Sequence, residues 1–181
     1  MRAPAFLPPR RLASSCSCTE QSRVSQLPPY RAKILPEWID YNGHLRDAYY
    51  VVALSHAVDE VMDHLGLDAA YRERTHCTLY TLELHMHFLH EVKESDQLTV
   101  ATSVLEFDRK RIHAACDFFC PRVSEAVASA EVMLLHVHQG DKPASASFPP
   151  EVQQRLEALK LTPAALAARG LGSRKMELKR R

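Results

Sequence analysis

The 181-residue sequence lacks the long apolar run that a membrane-spanning helix needs. No stretch approaches the roughly 18 to 20 consecutive apolar residues required to cross a bilayer. A predominance of charge of one sign is also missing, because 23 lysines and arginines face 22 aspartates and glutamates. Such a chain has no net positive electrostatic potential that would attract nucleic acid or an anionic membrane. We therefore expect a soluble protein with no nucleic-acid or membrane partner.

Cysteine is scarce and odd in number, since the chain contains only Cys16, Cys18, Cys77, Cys116 and Cys120. An odd, scattered set does not suit a disulfide framework. It favours reduced thiols in a cytoplasmic protein. The length is that of one domain, enough to bury a core without disulfides or metal.

Residues 1–30 lack a periodic pattern of hydrophobic residues that could pack into a core. They contain five prolines, four arginines and one acidic residue. We predict a disordered extension or a misassigned start, with a transit-like leader as the alternative. A secretory signal is not expected, because no continuous apolar segment follows Arg10 and Arg11. The folded domain is predicted over residues 31–160. Residues 161–181 are predicted to be a solvated basic tail.

A long amphipathic helix is predicted from Asp47 to Leu65. Its apolar residues recur at helical spacing, and Gly66 is well placed to end it in the left-handed conformation. Asp47 is the predicted N-cap. The expected buried stripe consists of Val51, Leu54, Val58, Val61, Met62 and Leu65.

After a polar connection, the apolar period changes from 3.6 to 2, which is typical of strands. A tight hairpin is predicted at the link Asp108-Arg109-Lys110-Arg111. Since one helix cannot cover both faces of a sheet, the pattern predicts an α+β fold in which a curved antiparallel sheet wraps around the helix. Edge-to-edge pairing into a homodimer, or a dimer of dimers, would protect the exposed edge. The predicted strands cover residues 31–36, 77–89, 97–107, 111–119 and 126–138, and a second helix covers residues 151–160.

The densest chemistry lies just before the long helix, where Asp40, Asn42 and His44 alternate around a glycine. The unpaired N–H groups of a helix's first turn, with the helix dipole behind them, attract an oxyanion. A carboxylate at Asp40 would face the electrophile that these groups polarise. An isolated D-x-N-G is usually only a polar turn. Here His44 and the paired tyrosines that follow favour an active-site turn.

Residues 38–50, W-I-D-Y-N-G-H-L-R-D-A-Y-Y, resemble the active-site loop of hotdog-fold acyl-CoA thioesterases of the 4-hydroxybenzoyl-CoA thioesterase type. Within that family they are most similar to the betainyl-CoA thioesterases of carnitine breakdown. The resemblance runs over residues 31–159 and includes E-V-K-E-S-D at 91–96 and A-E-V-M-L-L-H-V at 130–137. It departs at Arg46, where such loops often carry Asn, and at Ser95, where Gly is usual.

The resemblance implies a hotdog fold and hydrolysis of a small acyl-CoA to the free acid and CoA, with betainyl-CoA preferred and no cofactor or metal. It implies that Asp40 is the nucleophile or general base and that the backbone N–H of Asp47 binds the oxyanion. Asn42 and His44 would orient water or substrate. Another short or aromatic acyl-CoA, such as 4-hydroxybenzoyl-CoA, is the alternative substrate.

Two sets of residues are candidates for holding the substrate. Aromatic faces suit a quaternary ammonium through cation–π attraction, and they equally suit an aromatic acyl group. Basic side chains suit the phosphates of CoA. The acyl candidates are Trp38, Tyr41, Tyr49, Tyr50 and Phe88, and the CoA candidates are Lys93, Arg109, Lys110 and Arg111.

A non-enzymatic or metal-binding module is the second alternative. His85, His87 and Glu91 have the H-x-H-x₃-E spacing of half a cupin motif. With ten histidines in the chain such a match arises readily by chance, and no second cupin motif follows. A hotdog dehydratase is also disfavoured, because no hydration motif surrounds His44 or His56.

Overall fold

The structure, a computed structural model, describes residues 27–169. Most of the predicted 1–30 extension and the charged end of the predicted tail, residues 170–181, lie outside the described residues. Leu27 is buried in the core and Tyr30 begins the first strand, so the folded part starts before the predicted boundary at residue 31.

Six strands and four α-helices follow one another along the described chain. The strands are β1 (Tyr30–Lys33), β2 (Cys77–Phe88), β3 (Gln97–Phe107), β4 (Arg111–Phe119), β5 (Ala128–His138) and β6 (Ala144–Ser145). The helices are α1 (Asp47–Leu65), α2 (Ala69–Thr75), α3 (Pro150–Leu159) and α4 (Pro163–Arg169), with a 3₁₀ turn at Pro36–Trp38. The predicted bounds of α1, β3 and β4 are confirmed. The sequence prediction missed β6 and α4, and it gave residues 68–76 as a polar connection with at most a helical turn, where the structure has α2.

The strands form one antiparallel sheet in the order β1-β3-β4-β5-β2, with β6 beside the end of β5. At one end of this sheet Phe118 lies opposite Ala128, which in turn lies opposite Phe88. Register shifts interrupt β2 and β3, and such bulges increase the local twist of a sheet. Strand β2 is an edge whose partner in the described chain is β5. A curved antiparallel sheet around one long helix is the α+β arrangement that the sequence predicts.

Helix α1 packs its apolar side into the core, but the buried stripe differs from the prediction at its start. Val51 is 40% exposed, and Tyr50 is buried instead, with its ring edge-on to Phe88 and Phe118. Neighbouring residues of a helix point about 100° apart, so with position 50 facing the sheet, position 51 turns away from it. The buried residues of α1 are Tyr50, Ala53, Leu54, Ala57, Val58, Val61, Met62 and Leu65.

The ends of α1 confirm one prediction and correct another. Gly66 has φ +79° and ends the helix in the left-handed region, as predicted. Arg155 of α3 donates to the carbonyl of Leu65 at 2.7 Å and so takes up one of the unpaired carbonyls there. At the start, Arg46 and not Asp47 occupies the N-cap position, and it makes no side-chain capping bond. Asp47 is the first helical residue, and its Oδ1 accepts the N–H of Ala48 at 2.8 Å.

Among the residues that the structure describes, no helix combines the length and apolar character needed to cross a membrane. The buried polar side chain in the core is His136, which is 1% exposed. Its Nε2 lies 3.0 Å from the hydroxyl of Tyr71, and its Nδ1 lies 3.0 Å from the carbonyl of Ala146. A neutral imidazole satisfies both contacts when Nδ1–H donates and Nε2 accepts. Burial lowers the pKa of His136 and so favours this neutral form.

Candidate active site

The segment before α1 folds back on itself as a short hairpin. The N–H of Asp40 donates to the carbonyl of His44 at 2.8 Å, and the N–H of Arg46 donates to the carbonyl of Trp38 at 2.9 Å. At the turn, Gly43 has φ +78° and donates to the carbonyl of Asp40 at 3.0 Å. Glycine adopts this left-handed conformation without steric cost. The turn therefore holds Asp40 and His44 side by side.

The carboxylate of Asp40 is held by the backbone of this turn. Its Oδ1 accepts the N–H of Asn42 at 2.8 Å and the N–H of His44 at 3.1 Å. The hydrogen bond from the backbone of His44 is the main reason that the pKa of Asp40 lies below its ordinary value. Desolvation opposes this lowering, and the backbone and side chain of Asn42 add to it. Asp40 is therefore ionised at neutral pH. The same contacts are those of a simple polar turn, so they fit both of the roles that the sequence suggested.

The side chain of His44 points to Glu91, which lies beyond the end of β2. The His44 Nε2 and the Glu91 Oε2 are 3.1 Å apart. The backbone supports this contact, because the N–H of Leu45 donates to the carbonyl of Val92 at 2.7 Å. Sequence reasoning included Glu91 in the resemblance at residues 91–96, but the only role it considered for this residue was that of a metal ligand. Its contact with His44 joins two segments distant in sequence, and no local pattern signals it.

The first turn of α1 offers one open hydrogen-bond donor. Within residues 27–169, no acceptor takes up the backbone N–H of Asp47. The next N–H, that of Ala48, is occupied by the carboxylate of Asp47 itself. An open N–H at the positive end of a helix is suited to a developing oxyanion.

A cleft of about 290 Å³ lies at this end of α1. Three of the predicted site residues, Asp47, Tyr50 and Phe88, contribute to its wall. Burial raises the pKa of Tyr50 to about 12, so its phenol is neutral at physiological pH. The lining residues are Leu45, Asp47, Tyr50, Phe88, Leu89, His90 and Glu91.

The other predicted acyl-binding residues lie outside this lining. Trp38 and Tyr49 stack on each other with ring centroids 5.0 Å apart. Tyr41 is 95% exposed at the tip of the turn. The structure thus brings Tyr50 and Phe88 to the cleft but not Trp38, Tyr41 or Tyr49.

The predicted CoA-binding residues are separated from one another. The Nζ of Lys93 lies 3.7 Å from Glu91 Oε1 and is therefore beside the cleft. The hairpin of Arg109, Lys110 and Arg111 is at the opposite end of the sheet. Arg111 and Phe118, which is near the cleft, are seven steps apart along β4, or about 23 Å at roughly 3.3 Å per step. Arg111 also pairs with Asp108 at 2.7 Å, so part of the hairpin charge is neutralised locally.

The residues of the metal alternative do not converge. Within residues 27–169 there is no group of three or more side chains that could hold a metal ion. His85 Nε2 pairs with Glu83 Oε1 at 2.8 Å, whereas Glu91 turns to His44. The half-cupin spacing is thus not matched by a ligand cluster.

Comparison with protein families gives a match to the model described as the thioesterase-like superfamily, over residues 34–156. A betainyl-CoA thioesterase of Pseudomonas aeruginosa is 49% identical over 133 residues, which cover 74% of this chain and 83% of that protein. An L-carnitine dehydrogenase/betainyl-CoA thioesterase of Agrobacterium fabrum is 38% identical over 133 residues, 72% of this chain but only 26% of that longer protein.

Solved structures agree with these matches. A protein of Pseudomonas putida KT2440, provisionally described as a thioesterase, superposes with a TM-score of 0.67 at 36% identity, over 83% of this chain and 96% of that one. A hypothetical protein of Staphylococcus aureus solved in complex with CoA gives a TM-score of 0.71 at 26% identity, over 83% of this chain and 94% of that one. The predicted hotdog fold is confirmed.

Proposed function

The chain belongs to the thioesterase-like superfamily, and from that premise we propose that it hydrolyses betainyl-CoA to glycine betaine and CoA. The family and the close relative support thioester hydrolysis as the reaction. The observation that carries the proposal is the open N–H of Asp47 on the wall of a cleft, next to a turn that holds an ionised carboxylate. Attack on a thioester carbonyl requires both groups, the N–H to bind the oxyanion and the carboxylate to act as base or nucleophile.

The proposed reaction uses the electrophilic carbonyl of the thioester. As a nucleophile attacks the carbonyl carbon, negative charge develops on oxygen, and the N–H of Asp47 stabilises it. Asp40 supplies the ionised carboxylate, either attacking directly or taking a proton from water. His44 and Asn42 orient the water or substrate. Collapse of the tetrahedral intermediate expels CoA as the thiolate, which takes up the proton that the attacking water gives up. Where Asp40 attacks directly, collapse leaves an acyl–Asp40 anhydride, and water then cleaves it to release the free acid and regenerate the carboxylate.

We base the choice of acyl group on similarity and on the shape of the cleft. The 49%-identical relative is named for betainyl-CoA. Tyr50 and Phe88 provide aromatic surface in a cleft of about 290 Å³, which suits a small acyl group. Quaternary ammonium groups bind favourably to aromatic faces.

A homodimer is part of the proposal. Strand β2 exposes one long edge, with Tyr80, Leu82 and Phe88 exposed on it. Pairing of two β2 edges would satisfy their backbone groups and cover this apolar surface. A cytoplasmic location is also proposed, because the described cysteines Cys77, Cys116 and Cys120 are thiols and not disulfides.

The proposal is tested by measuring thiol release from betainyl-CoA, 4-hydroxybenzoyl-CoA and a medium-chain fatty acyl-CoA. We expect betainyl-CoA to give the highest kcat/KM of the three. A higher kcat/KM for 4-hydroxybenzoyl-CoA would move the assignment to aromatic substrates. Absence of thiol release from all three would overturn the proposed function.

A further inference from the structure

The cleft beside α1 carries negative charge on its wall. Two of its lining residues, Asp47 and Glu91, are carboxylates, and none of its lining residues is lysine or arginine. The Nζ of Lys93 lies 3.7 Å from Glu91 Oε1, which is an ion-pair distance, so this exposed lysine balances part of the charge of Glu91 from outside the cleft lining. A neutral apolar acyl group entering this cleft would remove water from the carboxylate of Glu91 and add no further charge to balance it, which is unfavourable. A cationic acyl group would compensate it.

The backbone of Glu91 is held in place by a neighbouring ion pair. Its own backbone carbonyl accepts a hydrogen bond from Arg122 at 2.7 Å. Arg122 is itself fixed by Asp96, at 3.0 Å, and the carboxyl side chain of Asp96 is only 7% exposed. Burial raises the pKa of Asp96, but hydrogen bonds from Arg122 and from the backbone of Lys93 together outweigh it and keep the pKa below its ordinary value, so this pair stays charged. These bonds position the backbone of Glu91, and the contact with His44 directs its carboxylate along the cleft wall.

Resting on the proposed function, we propose that Glu91 is a specificity-determining residue: its carboxylate on the cleft wall selects an acyl group that carries a positive charge. In a betainyl group a single methylene separates the charged nitrogen from the carbonyl carbon. When that carbonyl binds the N–H of Asp47, the cation must therefore remain inside the small cleft that Glu91 lines. Tyr50 and Phe88 supply the apolar surface for the methyl groups, and Glu91 supplies the opposite charge.

A pair of substrates with the same shape isolates this effect. Betainyl-CoA and 3,3-dimethylbutanoyl-CoA differ in that a neutral carbon replaces the charged nitrogen. The quantity measured is the ratio of kcat/KM for the charged substrate to kcat/KM for the neutral one. A change that merely disturbs the fold or the catalytic turn affects both substrates and leaves this ratio constant.

Glu91→Gln is the test variant, because glutamine keeps the size of the side chain and can still accept a hydrogen bond from His44. Glu94→Gln is the matched control, since Glu94 is an exposed residue of the same loop outside the cleft lining. We expect Glu91→Gln to lower the ratio roughly two- to fivefold, the range for losing one partly exposed charge contact. Glu94→Gln is expected to leave the ratio unchanged. High salt should lower the ratio of the wild-type enzyme, because ions screen the contact.

The outcomes separate this inference from the proposed function. If the wild-type enzyme hydrolyses both substrates equally well, or if Glu91→Gln lowers both by the same factor, Glu91 does not select charge, although the thioesterase assignment survives. If the wild-type enzyme hydrolyses neither substrate, the proposed function fails and this inference fails with it. If Glu94→Gln lowers the ratio as much as Glu91→Gln does, the selectivity comes from the overall negative charge of the loop. That result would also overturn the role of Glu91.

Discussion

Asp40 and His44 are joined by two hydrogen bonds, one from each backbone N–H. The N–H of His44 donates to Asp40 Oδ1 at 3.1 Å, and the N–H of Asp40 donates to the carbonyl of His44 at 2.8 Å. The imidazole of His44 in turn contacts Glu91 on the cleft wall. The carboxylate is thereby connected to the cleft through a rigid turn, although Asp40 is not itself among the lining residues. Several measurable consequences depend on this arrangement and on the fold that supports it.

The first prediction concerns the end of α1. Gly66→Ala should lower the free energy of unfolding by about 1 to 2 kcal/mol, because a left-handed φ is costly for alanine. The added Cβ would also meet the guanidinium of Arg155. Gly140→Ala is the control, since its Cβ would find no atom nearer than 3.8 Å. Equal loss of stability in both variants, measured by chemical denaturation, would contradict this explanation.

The second prediction concerns the pH dependence of stability through His136. Because burial lowers its pKa below the ordinary 6.5, the unfolded chain binds a proton at this position before the folded chain does as the pH falls. The stabilising effect of neutral His136 is thus complete above about pH 6.5 and is progressively lost below it. His136→Gln should remove this part of the slope, whereas His138→Gln at an exposed site should retain it. Denaturation curves collected between pH 5 and 8, roughly the range in which histidine titrates, would reveal the difference, and identical slopes would rule it out.

The third prediction separates the candidate CoA-binding cations. Lys93 lies beside the cleft, whereas Arg109 is in the hairpin at the far end of the sheet. Lys93→Gln should raise KM for CoA thioesters about two- to fivefold at low salt with little change in kcat, because only a screened charge contact is lost. Arg109→Gln removes the same charge and should leave KM unchanged. A rise in KM for Arg109→Gln alone would instead mean that the hairpin of another subunit serves the site.

The fourth prediction concerns the exposed edge. Leu82→Lys places a charge on β2, where Leu82 is 55% exposed. If two β2 edges pair, the charges of the two copies repel each other. The variant dimer should therefore dissociate at a higher protein concentration than the wild-type dimer. Leu82→Thr, which keeps a strand-favouring residue without the charge, is the control. Sedimentation velocity over a concentration series measures both, and a monomeric wild-type protein would contradict the pairing.

The parts of this protein that local pattern determines could be predicted from the sequence. Helix α1 and strands β3 and β4 have long, regular apolar periods, so their bounds were correct. Short elements are too short to show a regular apolar period, since α2 has seven residues and β6 has two. The position of Tyr50 in the core instead of Val51 depends on how the helix meets Phe118, which is a tertiary contact.

The same limit applies to the candidate site. The turn around Gly43 could be predicted because its residues are neighbours in the sequence. The contact between His44 and Glu91, and the distance between the Arg111 hairpin and the cleft, depend on how the sheet is assembled. The N-cap was misassigned by one residue, because the carboxylate of Asp47 serves the N–H of its neighbour Ala48 from within the first turn.

The central claim is that the carboxylate of Asp40 is required for hydrolysis, and kcat/KM of Asp40→Asn for betainyl-CoA tests it most directly. Asparagine keeps an acceptor for the N–H groups of Asn42 and His44, so the turn should stay folded while the charge is lost. Asp63→Asn, on the exposed side of α1, is the control and should behave like the wild type. We predict that Asp40→Asn lowers kcat/KM at least about 100-fold with an unchanged melting temperature. Retention of more than about one tenth of wild-type kcat/KM, a barrier change below about 1.4 kcal/mol, would contradict the assignment.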